Sequence, residues 1–365
     1  MSHVREKTLV EKLRLTRSLK TLAQNFLLRT MAGQKFFLFN DDLPRIINIS
    51  FNEKTCFYSC TMCPYAEQSV RDMYKDKSEM SFETLKNLVA SVPNDSYHSF
   101  DIAAIGETLQ FKRLPEFIAY MKKERPRVNT IVSTNGLLLS DELFIKLAES
   151  GLDSLQISLF AENAKDHEMI TKTETFEKVA ENIRRIGTLK KARGLKKPYL
   201  QTFMMEAEET KGLAASFIEY WSQFVDKAFI RPIYTLGRPI KGLTPSFAKP
   251  SHAKRYPCII PWYSTAIRSN GDVLHCTVFH WHEETRKLKV GNINEKSLKE
   301  IWQDTEFRKF RAAHRALKLD DYPICKSCDQ WSAYTDVWSR TKAGFSYAPV
   351  RPRDFVTPAP EHRGG

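Results

Sequence analysis

Residues 55–65 read TCFYSCTMCPY and place Cys56, Cys60 and Cys63 at CxxxCxxC spacing. They follow residues 46–52, IINISFN, where apolar and polar side chains alternate as in a β-strand. Three thiolates on a loop after a strand can hold three corners of an iron–sulfur cubane and leave the fourth iron open to a small chelating molecule. The alternatives are zinc with a missing fourth ligand, buried structural thiols, or a reactive redox thiol.

Hydrophobic residues make up 42% of the 365-residue chain, enough for a sizeable core and about two domains. No run of 18 apolar residues and no secretory signal is apparent, so we expect a cytoplasmic protein with reduced thiols.

The remaining four of the seven cysteines form a second group, Cys258, Cys276, Cys325 and Cys328. A split of three plus four predicts two metal centres.

The net charge of +13 indicates acidic partners, such as phosphate, carboxylate, nucleic acid or a membrane surface. Part of this charge lies in residues 1–45, a basic extension that we expect to contain an amphipathic helix over residues 4–31. The helix could pack on the body of the protein, lie on a membrane surface or cover the active site. The packed helix is the default.

An alternation of strands and helices predicts a parallel α/β sheet or partial barrel over residues 46–237. Six strands are expected at residues 46–52, 100–105, 130–133, 154–160, 199–205 and 228–233. Helices are expected between them at residues 81–92, 114–124, 141–150, 175–189 and 211–224. Folds of this kind place their chemistry at the C-terminal ends of the strands.

The pattern changes after Gly237. Residues 238–257 are expected to form a linker, and residues 258–342 a small α+β iron–sulfur domain. Within that domain we expect a hairpin over residues 263–278, with a two-residue turn at Asn270-Gly271, and a helix over residues 297–317. Residues 343–365 are rich in proline and glycine and predict an irregular tail.

The cysteine stretch and the six-strand series together resemble the radical S-adenosylmethionine (SAM) superfamily over about residues 45–237. The resemblance implies a partial (β/α)6 barrel with a SAM-binding 4Fe–4S cluster on Cys56, Cys60 and Cys63. It also implies that Met62 helps to seat the adenine of SAM.

The resemblance implies further SAM contacts at the ends of successive strands. Gly106 and Glu107 are similar to the Gly-Glu segment of the family, in which the carboxylate pairs with the SAM amino group. The usual motif has two glycines before the glutamate, and Ile105 departs from it. The remaining implied contacts, to the ribose and carboxylate of SAM, are Ser133, Thr134, Asn135 and Ser158.

The four later cysteines predict a closed four-thiolate site, made by a hairpin and a CxxC knuckle. Alone, this set favours zinc, but beside a radical SAM core it favours a second, auxiliary 4Fe–4S cluster. The arrangement resembles the SPASM/twitch extension, including VGNI at residues 290–293 and SLKEIW at residues 297–302. No cysteine follows Cys328, so the resemblance is to the shorter, one-cluster twitch form.

The resemblance implies a radical SAM oxidoreductase that cleaves SAM reductively to a 5′-deoxyadenosyl radical, with electrons from a flavodoxin- or ferredoxin-like reductase. A closed second cluster can accept an electron, which favours dehydrogenation of a sugar, aminocyclitol or other small polar metabolite. The sequence identifies no proton acceptor for this reaction.

Three alternatives remain. One is a peptide- or protein-modifying enzyme, a maturase of ribosomal peptides for example, that binds its substrate through the basic residues Lys190, Lys191, Arg193, Lys196 and Lys197. Another is an epimerase, which needs a hydrogen donor and is disfavoured because all seven cysteines are assigned to clusters. The third is a zinc-ribbon protein that binds nucleic acid. It leaves CxxxCxxC and Gly106-Glu107 unexplained, so we expect no nucleic-acid partner.

Overall fold

The computed structural model describes residues 42–53, 56–74, 78–95, 98–103, 105–237, 240, 242–245, 255–281 and 289–332, and the backbone of residues 338–341 and 344–347. The expected N-terminal helix over residues 4–31 lies outside the described residues. Across the described part of the chain, no helix is long and apolar enough to cross a membrane.

A parallel sheet forms the centre of the molecule. Its six strands are β1 (Ile46–Ile49), β2 (Ser99–Ile102), β3 (Asn129–Thr134), β4 (Ser154–Phe160), β5 (Tyr199–Glu206) and β6 (Lys227–Pro232). They pair in chain order, each parallel to the next, and the sheet does not close. The predicted fold class, a partial (β/α)6 barrel with a small C-terminal domain, is confirmed.

Helices connect the strands. They are α1 (Gln68–Asp72), α2 (Phe82–Ala90), α3 (Leu114–Glu124), α4 (Asp141–Glu149), α5 (Ala164–Thr171), α6 (Phe176–Ala192) and α7 (Ala214–Trp221). Ser81 caps the N-terminus of α2, because its side chain accepts a hydrogen bond from the backbone N–H of Thr84 at 3.0 Å. Helix α5 was not predicted, because its eight residues AKDHEMIT carry only a weak apolar stripe.

One face of the sheet is apolar and the other is polar, because successive side chains of a strand point to opposite faces. In β2, Phe100 and Ile102 belong to the main hydrophobic core, and Asp101 between them points to the opposite face. In β4, Leu155 and Ile157 likewise belong to this core. The core therefore lies between the sheet and its helices, and the polar side chains line the concave inner face, called here the lumen.

The C-terminal segment extends the same sheet. Its elements are α8 (Ile260–Tyr263), β7 (Ser264–Ile267), β8 (Asp272–Leu274), β9 (Gly291–Asn292), α9 (Leu298–Gln303), α10 (Thr305–Ala316), α11 (Pro323–Ser327), β10 (Trp338–Thr341) and β11 (Gly344–Tyr347). Strand β7 pairs parallel to β1, and β8 and β9 follow antiparallel. Strands β10 and β11 form a separate antiparallel pair.

Three sequence expectations need correction here. The hairpin loop has three residues rather than two, since Arg268 pairs with Asp272 and Gly271 takes a φ of 88° in the left-handed region that glycine tolerates. The helix expected over residues 297–317 is two helices, because Asp304 has an extended backbone (ψ 165°) and caps α10. The tail is not irregular throughout, since Gly344–Tyr347 is a strand.

Candidate active site and cluster-binding site

The loop after β1 carries the first three cysteines. It is held against α5, because the backbone N–H groups of Ser59 and Thr61 donate to the carbonyls of Thr171 and Ile170 at 3.1 and 2.8 Å. A tight turn follows, in which the N–H of Cys63 donates to the carbonyl of Cys60 at 2.9 Å. The helix that the sequence analysis missed therefore forms the platform for the loop.

The three thiols of this loop lie within electrostatic reach of one another. Burial raises the pKa of Cys56 to about 11 and that of Cys60 well above its ordinary value, and mutual repulsion between the thiolates adds to both shifts. The Sγ atom of Cys56 accepts a hydrogen bond from the backbone N–H of Tyr58 at 3.4 Å. Three converging sulfur donors that need a positive partner in order to ionise fit a thiolate-ligated iron–sulfur cluster.

In the part of the chain that the structure describes, no three His, Cys, Asp or Glu side chains are arranged to hold a single metal ion. A cubane spreads its ligands over separate iron atoms, so the ligands of a cluster do not have to meet at one point.

Glu107 lies next to this loop, and its carboxylate accepts three hydrogen bonds from protein groups. Its Oε1 accepts hydrogen bonds from the Thr134 hydroxyl and, at 3.0 Å, from the N–H of Leu109. Its Oε2 accepts one from the N–H of Asn135 at 2.8 Å. Burial raises the pKa of Glu107, and these hydrogen bonds oppose that shift. A carboxylate has about four lone-pair sites, so Glu107 can accept one further hydrogen bond.

The structure brings the other expected SAM contacts to the same edge of the sheet. Thr134 and Asn135 both touch Glu107, and Asn135 Nδ2 lies 3.9 Å from the Sγ of Cys56. Gly106 has a φ of 96°, which a side chain would disfavour. Met62 packs on the apolar cluster at the ends of β4 to β6. The roles of these residues toward SAM stay predictions.

Ser133 and Ser158 lie on the lumen side. The hydroxyl of Ser133 donates to Gln156 Oε1 at 3.4 Å. Ser158 sits where the pairing of β4 with β5 shifts register between Ile157 and Phe160, a bulge of the kind that re-aims side chains near active sites. Phe160 at the end of this bulge has a φ of 69°, uncommon for a bulky residue. Ser158 lies within this bulge, and its contact with SAM stays a prediction.

Asp101 is the lumen residue that the sequence analysis missed. Its Oδ1 is buried and accepts no hydrogen bond from any described residue. Arg231 on β6 faces it across the lumen and moderates its charge, yet burial still raises the pKa of Asp101 to about 6. Arg231 stacks on Phe203 at 4.2 Å and donates to Gln156 Oε1 at 3.2 Å. A polar residue between two buried apolar ones in β2 was the signal available in the sequence.

The four later cysteines line one cavity. Its empty volume is about 420 Å³, part of it open to solvent, and its walls are mostly apolar. Besides the cysteines, it is lined by Arg255, Ile260, Pro261, Val278, Phe279, Phe310, His314, Ile324, Gln330 and Trp331. The structure therefore brings together Cys258, Cys276, Cys325 and Cys328, which are far apart in the sequence.

The chemistry of this cavity fits a four-thiolate cluster. Burial raises the pKa of Cys276 to about 12 and that of Cys258 and Cys325 still further, and repulsion from the neighbouring thiolates contributes. The guanidinium of Arg255 is within electrostatic reach of Cys258, Cys325 and Cys328 and is anchored by the carbonyls of Lys326 (2.8 Å) and Cys325. The cavity thus brings four largely buried sulfur donors together beside the guanidinium of Arg255.

The CxxC knuckle is attached to the end of β6. Asp329, which follows the knuckle, accepts hydrogen bonds from the N–H of Thr235 (2.8 Å), the hydroxyl of Thr235 (2.7 Å) and the N–H of Leu236 (2.8 Å). Gly237 packs so tightly that an added Cβ would lie 2.5 Å from the hydroxyl of Ser327. The second cysteine site is therefore held beside the strand that carries Arg231.

Comparisons with known proteins agree with this geometry. Residues 54–193 match the family model described as the radical SAM superfamily, and residues 258–329 match one described as an iron–sulfur cluster-binding domain, SPASM. A curated relative, the S-adenosyl-L-methionine-dependent 2-deoxy-scyllo-inosamine dehydrogenase of Niallia circulans, is 22% identical over 299 residues, which are 81% of this chain and 97% of the relative.

Two solved structures share the fold. BtrN in complex with AdoMet and 2-DOIA aligns with a TM-score of 0.51 and 19% identity over 79% of this chain and 93% of its own. Streptococcus suis SuiB bound to the precursor peptide SuiA aligns with a TM-score of 0.55 and 16% identity over 91% of this chain and 78% of its own. At these identities the likeness shows the fold alone.

Proposed function

The chain belongs to the radical SAM superfamily and carries a C-terminal SPASM domain, and from this premise we propose that it dehydrogenates an alcohol carbon of a small polar metabolite, a sugar or aminocyclitol. SAM and the 4Fe–4S cluster on Cys56, Cys60 and Cys63 supply a 5′-deoxyadenosyl radical, and the auxiliary cluster supplies an electron acceptor. The curated relative is named as a dehydrogenase of such a compound, which supports the proposal.

The observation that carries the proposal is the buried Oδ1 of Asp101, which accepts no hydrogen bond from any described residue. Oxidation of an alcohol to a carbonyl removes a hydrogen atom from carbon, a proton from oxygen and one electron. The proton needs an acceptor within reach of the substrate hydroxyl. Asp101 Oδ1 is buried, faces the lumen and has no hydrogen-bond partner among the described residues, so it can accept that proton.

The other lumen side chains suit a substrate rich in hydroxyl and amino groups. Arg231 supplies donors, and Gln156 and Ser133 can donate or accept. The stacking of Arg231 on Phe203 and its contact with Gln156 fix the position of its charge. A site of this composition binds a polar ring through hydrogen bonds from several strands.

Part of the basic surface expected for the peptide-modifying alternative has contacts within the fold. Lys190 is buried and pairs with Asp226 at 2.6 Å. Lys191 donates to the carbonyl of Gln223 and Lys197 pairs with Asp153, but both side chains stay exposed. Of the five residues assigned to substrate recognition, Lys190 is therefore the one that its contact removes from the surface.

We also propose an electron donor for the enzyme and a place in the cell where that donor is found. Reductive cleavage of SAM needs a low-potential one-electron donor, and a flavodoxin- or ferredoxin-like reductase is the class that provides it. Such donors, and thiols that stay reduced, are features of the cytoplasm, where we place the enzyme.

The test is a screen of sugars and aminocyclitols that carry deuterium on each alcohol carbon in turn. The substrate should pass its deuterium to 5′-deoxyadenosine, as measured by mass spectrometry with the anaerobically reconstituted protein. Asp101→Asn should still transfer deuterium but form far less carbonyl product. Transfer from a peptide, with none from any small alcohol, would contradict the proposal.

A further inference from the structure

His314 on α10 lies in the wall of the auxiliary cluster cavity, beside the four cysteines. It is 2% exposed, and Phe310 packs edge-on against its ring at 4.7 Å. None of the family motifs discussed above includes this residue. Its position raises the question of what its two ring nitrogens bind.

The Nδ1 atom is an acceptor. The backbone N–H of Cys258 donates to Nδ1 at 3.4 Å. A nitrogen that accepts a hydrogen bond carries no proton, so in the neutral imidazole the proton resides on Nε2. The backbone next to a cluster cysteine therefore sets the tautomer of His314 and makes Nε2 a donor.

The Nε2 donor is buried without a partner among the described residues. Buried polar groups in folded proteins are nearly always hydrogen-bonded, so each exception requires an explanation such as an absent ligand. The cavity that His314 lines also carries the four cysteine sulfurs, the guanidinium of Arg255 and the amide of Gln330, and the amide oxygen of Gln330 makes no hydrogen bond to Nε2. The guanidinium is a donor and cannot accept the proton, whereas sulfur can.

We propose that Nε2–H of His314 donates a hydrogen bond to an inorganic sulfide of the auxiliary cluster, and that this bond sets the reduction potential of the cluster. His314 is not itself a ligand, since a protonated Nε2 has no free lone pair and the four cysteines complete the set. A hydrogen bond to sulfur stabilises the more negative, reduced state and so raises the potential. The inference rests on the auxiliary cluster and not on the identity of the substrate.

The test is a potentiometric titration monitored by electron paramagnetic resonance, with the full-length protein loaded with both clusters. Addition of SAM identifies the signal of the first cluster, because only that cluster has an open iron. In His314→Leu, the ratio of reduced to oxidised auxiliary cluster at the wild-type midpoint potential should fall about tenfold, which corresponds to a downward shift of about 59 mV for one electron. The first cluster should keep its potential.

Two further variants make the result specific. His314→Gln keeps an N–H donor near the Nε2 position and should restore most of the wild-type potential. His98 is a matched control, since it is also buried with an unpartnered Nε2 and lies before β2, outside the residues that line the cavity. His98→Leu should leave both potentials unchanged.

The cluster content and the potentials of the two His314 variants decide whether the donor role holds. If His314→Leu loses the auxiliary cluster while His314→Gln keeps it at the wild-type potential, the donor role is supported. An unchanged potential in fully loaded His314→Leu overturns the inference, as does a potential in His314→Gln no closer to wild type than that of His314→Leu. Failure of the substrate screen would alter neither result, because the titration uses no substrate.

Discussion

Arg268 forms a two-point ion pair with Glu53, with Nη2 to Oε2 at 2.7 Å and Nε to Oε1 at 3.1 Å. Arg268 lies next to the loop between β7 and β8, and Glu53 lies three residues before the first cluster cysteine. Both side chains are buried, and the hydroxyl of Ser78 and the N–H of Ser269 also donate to the carboxylate. The pair therefore ties the C-terminal hairpin to the start of the first cluster loop.

Arg268→Met should destabilise the protein by about 3–5 kcal/mol, because it leaves the Glu53 carboxylate buried without its cation. The loss should appear as a clear drop in the midpoint of thermal unfolding of the cluster-loaded protein. Arg113→Met is the matched control, since Arg113 pairs with Glu116 on the surface, where ion pairs contribute little.

The double variant Glu53→Leu/Arg268→Met tests the mechanism. Replacing both buried charges by apolar groups often costs little, so this variant should recover most of the midpoint lost by Arg268→Met. If the double variant is as unstable as the single one, the effect is loss of packing and not an unpaired charge.

The sequence predicts local features of this molecule well. Cysteine spacing and strand alternation are properties of a few neighbouring residues. The cluster loop, the hairpin and the six parallel strands could therefore be predicted from the sequence. The bounds of β4 and α3 agree with the expectation residue for residue.

Contacts between distant residues could not be predicted in this way. Glu53 and Arg268 are 215 residues apart, and His314 reaches Cys258 across 56. Helix α5 escaped detection because its periodicity is weak, although its carbonyls hold the cluster loop. These features depend on how the elements pack, which a single sequence does not record.

Iron analysis should give about eight irons per chain after anaerobic reconstitution, because each cysteine set holds one cubane. Cys325→Ala/Cys328→Ala should retain about four. Its C-terminal segment should also unfold at a lower temperature, since ligand binding in such sites is coupled to folding. Stoichiometric zinc in the wild type would instead place a single-metal site in the cavity.

Replacement of Cys56, Cys60 and Cys63 by alanine should abolish formation of 5′-deoxyadenosine from SAM under strong reductant. Cys325→Ala/Cys328→Ala is the control that retains part of this activity, because the first cluster is housed separately. The measurement is liquid chromatography of the nucleoside. SAM cleavage at the wild-type rate by the triple variant would contradict the assignment of the first cluster.

The rate of product formation should depend on the ionisation of Asp101. Its pKa is raised to about 6, because burial outweighs the attraction of Arg231. Below that pH the carboxyl is protonated and cannot accept a proton, so kcat/KM should rise about tenfold per pH unit up to about 6 and then level off. In Asp101→Asn the low residual rate should lack this step. A wild-type profile that is flat from pH 5 to 8 would remove Asp101 from the reaction.

The hydrogen content of the product separates dehydrogenation from epimerisation. We assign all seven cysteines to the two proposed cluster sites, and this assignment leaves no spare thiol to return a hydrogen atom to the substrate carbon. One SAM should therefore be consumed per product, and the product should be two hydrogens poorer than the substrate. In deuterated water, the reacting carbon should gain no deuterium. An isomeric product with one solvent-derived deuterium would mean that a tyrosine, or a cysteine assigned to a cluster, donates hydrogen. That result would contradict the dehydrogenase assignment.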